Sequence, residues 1–178
     1  TLVINLRYYY GFRSGVAYAN GNYGTTAEVI DHPSYAGVNA DGIAQEGNYI
    51  GRTTDLNTGY ALANSLIDEG CDILFITAAG PAREGAYAAV KDREGVRIIG
   101  AETDQTSRGE TDGENVVLFS VTKDFAGYIE AQLSAIANGS FQGGTTSLRA
   151  VNDAIGYTSS PESQQLNEQT LQHLADIY

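Results

Sequence analysis

From residue 55 onward the apolar positions switch between two periodicities, as they do in a chain that alternates helices with strands. Leu62, Ala63, Leu66 and Ile67 recur at helical spacing, which predicts a helix from about Asp55 to Glu69 stopping at Gly70. Cys71–Thr77 is then a nearly unbroken apolar run, the pattern of a parallel strand buried on both faces. Ala78-Ala79-Gly80 reads as a turn, Pro81 as the first position of a helix to about Arg93, and Val96–Gly100 as the next buried strand. Val116–Thr122 repeats the strand signal, and Phe125, Ile129, Leu133 and Ile136 mark one face of a helix ending at Asn138-Gly139. Parallel α/β architecture follows.

The flanking regions carry weaker patterns. Thr1–Leu6 reads as a short strand, Tyr8–Asn20 as a helix closed by Asn20-Gly21-Asn22, and Ala27–Ile30 and Asn48–Thr53 as further strands. Between them, Asp31–Gly47 is rich in turn formers and shows no clear period. Thr145–Ala150 and Ile155–Thr158 read as short strands, and Ser159-Ser160-Pro161-Glu162 as a capped helix start. A strand at residue 1 and a helix at the last residue predict a piece of something longer. No repeat or low-complexity tract is present.

Composition narrows the function classes. At 178 residues with 42% hydrophobic and 18% charged positions, the chain is an ordinary globular one. Its net charge of −12 repels phosphate backbones and anionic headgroups, which disfavours nucleic acid and membrane surfaces as partners. No stretch approaches the roughly 20 apolar residues that span a bilayer, and Thr1–Asn5 lacks the basic flank of a secretory signal. The protein is therefore cytosolic or its targeting segment lies outside this sequence. A single Cys71 excludes an intrachain disulfide and a multi-cysteine metal site.

In an open α/β sheet, ligands bind outside the carboxyl ends of the strands. Four segments qualify, carrying Gly80 and Arg83, then Glu102 and Asp104, then Lys123, then Arg7 and Tyr8 after the opening strand. Polar groups held there by a rigid sheet suit a small polar ligand; solvated loop charges or a structural ion pair are the alternatives. Gly80–Gly85 lacks the spacing of a dinucleotide fingerprint and the Lys-Ser/Thr of a P-loop. The Asn39-Ala40-Asp41-Gly42 segment has Gly37 and Asn48 where a calcium loop needs acids, so no metal or other cofactor is assigned. His32 and His173 have no nucleophile motif nearby and read as surface residues, and Cys71 reads as a small core residue. No catalytic residues are assigned and the chain does not read as an enzyme.

Several segments, in order, resemble the basic membrane protein (BMP) family of bacterial solute-binding lipoproteins. They are Phe12–Asn20, Glu69–Phe75, Ala78-Ala79-Gly80, Gly85–Lys91, Ile99-Gly100-Ala101-Glu102-Thr103-Asp104-Gln105, Ser120-Val121-Thr122-Lys123, Phe141–Thr145 and Ile155-Gly156. The resemblance implies a type I periplasmic-binding-protein fold, a parallel sheet flanked by helices in each of two lobes. This chain would supply mainly the second lobe, with residues 1–150 forming it, irregularly at 31–47, and 151–178 returning toward a first lobe. It further implies capture of a purine nucleoside or similar small polar ligand for an ABC transporter permease, outside the cytoplasm, periplasmic or lipid-anchored. The family's acid and lysine that hold the ligand carry over to Glu102, one methylene longer than the usual Asp, and to Lys123. The rival readings are a sensory domain of a receptor or transcription regulator, and an α/β enzyme.

Overall fold

The computed structural model describes residues 3–38, 41–51 and 54–177. These fall into two compact units, Thr1–Arg97 and Ile98–Tyr178.

The first unit opens on helix α1, Val3–Tyr23, so residues 3–6 are its first turn and not a strand. The apolar opening is too short to define a period of its own. Beyond it Tyr8 and Phe12 lie one turn apart and both pack on the Phe75 ring, at centroid distances of 5.8 and 5.4 Å. The predicted stop at Asn20 is overrun, and the helix ends before Gly24 at φ +68°.

Asn20 explains why Ala27–Ile30 is not a strand. Its Oδ1 accepts from the Ala27 N–H at 3.1 Å and the Thr25 hydroxyl at 2.6 Å, and its Nδ2 donates to the Ala27 carbonyl at 2.8 Å. Asn48 does the same further on, donating to the Ile30 carbonyl and accepting from the His32 N–H. Amide side chains thus satisfy the backbone groups that a ladder would have used. Residues 48–51 are likewise not a strand, and Arg52 and Thr53 lie outside the described residues. The irregular stretch does contain order: a 3-10 turn at Pro33–Tyr35 and a small antiparallel pair, β1 (Gly37–Val38) with β2 (Ala44–Gln45).

Helix α2, Leu56–Asp68, and helix α3, Gly80–Lys91, form the tightest packing in this unit. Asp55 caps α2 by accepting from the Thr58 N–H at 2.9 Å. Strand β3, Ile73–Phe75, is shorter than the apolar run that predicts it. It is also not buried on both faces, because Leu74 and Ile76 are buried while Ile73 is 42% exposed. Proline 81 sits one place inside the start of α3, whose first residue is Gly80.

The second unit holds β4 (Arg97–Glu102, beginning at the last residue of the first unit) and β5 (Val117–Lys123), paired in parallel, with β6 (Ile155–Tyr157) antiparallel to β5. The sheet is therefore mixed rather than wholly parallel. Ile98, Val116, Val117 and Ser120 are fully buried and form its core. Helix α4, Phe125–Ala137, begins at the Asp124 cap and stops where Asn138 Oδ1 takes the Ser140 N–H and hydroxyl and Gly139 turns to φ +75°.

Two predicted elements near the end are absent. Thr145–Ala150 forms no strand, and the chain there leads into a 3-10 turn, Ala150–Asn152. Ser159–Glu162 starts no helix; Pro161–Ser163 is a turn, and α5 runs Glu168–Ile177 with Asn167 accepting from the Thr170 N–H. The intervening backbone is held along β5, since Gln165 donates from its N–H to the Leu118 carbonyl and from Nε2 to the Val117 carbonyl. Long-range hydrogen bonds of this kind override a local capping signal.

Candidate functional site

The parallel register sets Glu102 opposite Thr122, so the carboxyl ends of β4 and β5 deliver Glu102 and Lys123 side by side. Lys123 Nζ lies 3.2 Å from Glu102 Oε1, with the lysine side chain 18% and the glutamate 48% exposed. The ammonium also sits 5.8 Å from the centre of the Phe125 ring. Antiparallel β6 braces this edge through Lys123 opposite Ile155, and the Asp124 N–H donates to the Ala154 carbonyl. Glu102 has φ +74°, a left-handed conformation that a side-chain-bearing residue adopts only when its surroundings enforce it.

The enforcement comes from the next turn. Gln105, buried at 3% exposure, donates its N–H to the fully buried Ser120 hydroxyl at 3.0 Å and its Nε2 to the carbonyl and hydroxyl of Thr103. Gly100 makes room for it, since a Cβ there would stand 2.6 Å from Ser120 Oγ and 2.8 Å from Gln105 Cβ. Chain 102–105 is thus folded back over β5, and Glu102 is turned outward beside Lys123.

Asp104 is engaged differently. One oxygen accepts from the Thr106 N–H at 2.9 Å and the Thr106 hydroxyl at 2.6 Å, and the other from the Ser163 hydroxyl at 2.7 Å. Partial burial by itself raises its pKa, but the three hydrogen bonds outweigh burial and hold the carboxyl below its ordinary value. Such a group stabilises the fold at pH above the usual carboxylate value and loses that contribution as pH falls through its own lower one. Asp104→Asn is therefore expected to reduce stability near neutrality and flatten its decline in acid, as read from urea midpoints at pH 3 and pH 7. An unchanged midpoint at pH 7 would mean that the clasp to Ser163 carries no weight.

Gly80 and Arg83 belong to the first unit. Gly80 opens α3 at φ +59°, and no side chain caps that helix end. Arg83 turns onto its neighbour Glu84, with Nε and Nη2 each 3.2 Å from Oε1. Arg7 and Tyr8, expected on a loop, lie within α1. Asn39 and Ala40 lie outside the described residues, whose acids, histidines and cysteine make no cluster able to hold a metal. Cys71 is half-buried, and burial, then Glu69 and Asp72, pushes its thiol above the ordinary value, which disfavours the thiolate. His32 is structural rather than a plain surface residue: its Nδ1 accepts from the Ser34 N–H, and its Nε2 lies 3.4 Å from Glu69.

A crevice of about 380 Å³ in the first unit had no sequence signal. It is lined by Tyr9, Arg13, Asn20, Glu28 and Asp31. Burial and the hydrogen bond donated to Asp31 push the Tyr9 phenol up to about 12. Arg13 pairs with Glu46 at 2.7 Å. Its residues come from a helix and an aperiodic loop, and no spacing rule links the two.

Three solved structures that this chain resembles are two solute-binding proteins and a transcriptional activator. An ABC transporter solute-binding protein from Aeropyrum pernix K1 matches at a TM-score of 0.59 and 21% identity, over 92% of this chain and 37% of its own. A transcriptional activator of the comK gene from Bacillus halodurans matches at 0.60 and 19%, over 72% of this chain and 43% of its own. An ABC transporter solute-binding protein from Conexibacter woesei matches at 0.51 and 24%, over 73% and 41% respectively. At these identities the likeness defines the fold class, the α/β fold of periplasmic binding proteins. The chain spans between 37% and 43% of the length of these proteins. No curated protein matches the sequence closely enough to count as a relative.

The family is named by the sequence itself. The profile described as ABC transporter substrate-binding protein PnrA-like (Bmp) matches residues 36–177, and the chain belongs to that family. It is a family of solute-binding proteins and not of enzymes.

Proposed function

We propose that this chain is the ligand-holding part of an extracytoplasmic solute-binding protein that captures a small polar molecule, a purine nucleoside first among candidates, and hands it to an ABC transporter permease. The observation that carries the reading is the pairing of Glu102 with Lys123 at the carboxyl ends of parallel strands, with Glu102 held in left-handed backbone. An acid and a base presented together on a rigid edge can accept from hydroxyl donors and donate to a carbonyl or ring nitrogen of one neutral ligand. Gly80 and Arg83 are proposed to contribute from the start of α3, and Asp104 to act through the loop that it fastens. Residues 1–150 are proposed to serve as second lobe and 151–178 as the return toward a first lobe, in a protein that is periplasmic or lipid-anchored. No described helix is long and apolar enough to cross a membrane.

A ligand sensor is the second reading, supported by the likeness to the transcriptional activator. Both readings require ligand capture and differ in what lies outside this sequence. Native mass spectrometry of the intact protein purified from its own cells tests the shared claim. A retained purine nucleoside is the expected result, and a retained phosphorylated or apolar ligand would reject the proposed site chemistry.

A further inference from the structure

Glu102 sits at the centre of a three-residue turn. The Thr103 N–H donates to the Ala101 carbonyl at 3.0 Å across it, and φ at Glu102 is +74°. A γ-turn of this hand strains a residue that carries a side chain, so it persists only where the flanking chain is held from elsewhere. The hold is a ring of hydrogen bonds through five residues. Gln105 donates its N–H to Ser120 Oγ at 3.0 Å, and the Ser120 N–H donates to Thr158 Oγ1 at 3.0 Å. The Thr158 hydroxyl donates to the Ser163 carbonyl at 2.7 Å, and the Ser163 hydroxyl donates to Asp104 at 2.7 Å, which closes the ring beside Gln105. Thr158 lies just beyond β6, 38 residues past Ser120, and its own N–H donates to the Ser120 carbonyl at 2.9 Å. Its hydroxyl accepts on one side and donates on the other, so it joins the half of the ring that holds Gln105 to the half that holds Asp104.

We propose that Thr158 is a positioning residue of the binding site: through Ser120 and Ser163 it fixes the loop that follows Glu102 and so sets the pose of the Glu102 carboxylate beside Lys123, without itself contacting the ligand. The inference rests on the proposed function in taking Glu102 to contact the ligand. The hydroxyl carries the role rather than the bulk of the side chain, because a methyl in its place can neither accept from the Ser120 N–H nor donate to the Ser163 carbonyl. With both links open, Glu102 relaxes toward the extended backbone that a side-chain-bearing residue prefers, and its carboxylate leaves the place beside Lys123.

Thr158→Val removes the hydroxyl at nearly constant volume, and Thr158→Ser retains it. In titrations of the intact protein with adenosine, guanosine and inosine, Thr158→Val is expected to raise the dissociation constant about tenfold, and Thr158→Ser to stay within about twofold of wild type. In a Glu102→Gly background, where glycine takes the same φ without a carboxylate, Thr158→Val is expected to change affinity no further. An equal loss in both backgrounds would overturn the proposal and leave Thr158 a purely structural residue. A second readout needs no ligand: the backbone Cα and Cβ chemical shifts of Glu102 are expected to move toward extended values in Thr158→Val and to stay in place in Thr158→Ser. Ser163→Ala, which opens the ring at its last link, is expected to move them in the same direction and serves where Thr158→Val does not fold. Unchanged Glu102 shifts in these variants would overturn the proposal. A wild-type protein that binds none of the three nucleosides would reject the binding reading instead, and the shifts then decide the positioning on their own.

Discussion

Gly85→Ala is expected to be among the most destabilising single substitutions in this protein. A Cβ at Gly85 would stand 2.0 Å from the Leu56 carbonyl oxygen and 2.9 Å from the Tyr60 nitrogen, and one at Gly59 would stand 2.0 Å from the Ala82 carbonyl oxygen. The two glycines thus let the backbones of α2 and α3 touch at reciprocal points, in a helix α3 whose Ala82, Ala86, Ala89 and Val90 are all buried. Adding a methyl there forces the helices apart, because the obstacle is backbone and not the tip of a flexible side chain. The cost is about 3 kcal/mol or more, at the upper end for overpacking, and corresponds to a fall in melting temperature of roughly 6–12 °C. Gly15→Ala is the control, since nothing lies within 4 Å of a Cβ there and alanine suits a helix better than glycine. Equal melting temperatures for the two variants would mean that the helices are not in backbone contact.

Lys123→Ala is the substitution expected to remove most binding. Removing one partner of a charged pair from a desolvated ligand contact costs about 2–5 kcal/mol of binding free energy, largely because the other charge is left without its partner. The same pair contributes little to folding, for Glu102 is half exposed and a pair of that kind is worth about 1 kcal/mol at most. The variant should therefore melt near the wild-type temperature while its ligand dissociation constant rises by roughly 30-fold or more. Loss of folding together with binding would make the pair a structural feature.

The contrast between these sites shows what the sequence discloses. Helices α2 and α3, strands β4 and β5, and the juxtaposition of Glu102 with Lys123 were legible, because hydrophobic period and strand-end position are local properties and register follows from parallel pairing. The interior α2–α3 contact was not, since a glycine inside a helix carries no mark of what approaches it. Two failures have one cause: at Ala27–Ile30 and Ser159–Glu162 distant or flanking side chains, Asn20, Asn48 and Gln165, satisfy backbone that the local pattern assigned elsewhere. At residues 3–6, where a strand was expected, the chain is the first turn of a helix whose Tyr8 and Phe12 pack on Phe75, and Thr1 and Leu2 lie outside the described residues. Asp104 shows a different limit. Its position beside Glu102 suggested a ligand contact, and only the fold reveals that Ser163, 59 residues away, occupies its second oxygen.

The most direct test of the central claim is calorimetric titration of the intact protein with adenosine, guanosine and inosine and with their monophosphates. Glu102 and Asp104 stand at the same strand end against the single Lys123, so added phosphate meets more repulsion than attraction there. The account predicts saturable binding of at least one nucleoside, weaker binding of its monophosphate, and loss of the nucleoside signal in Lys123→Ala. Tighter binding of the monophosphates, or undiminished nucleoside affinity in Lys123→Ala, would contradict it.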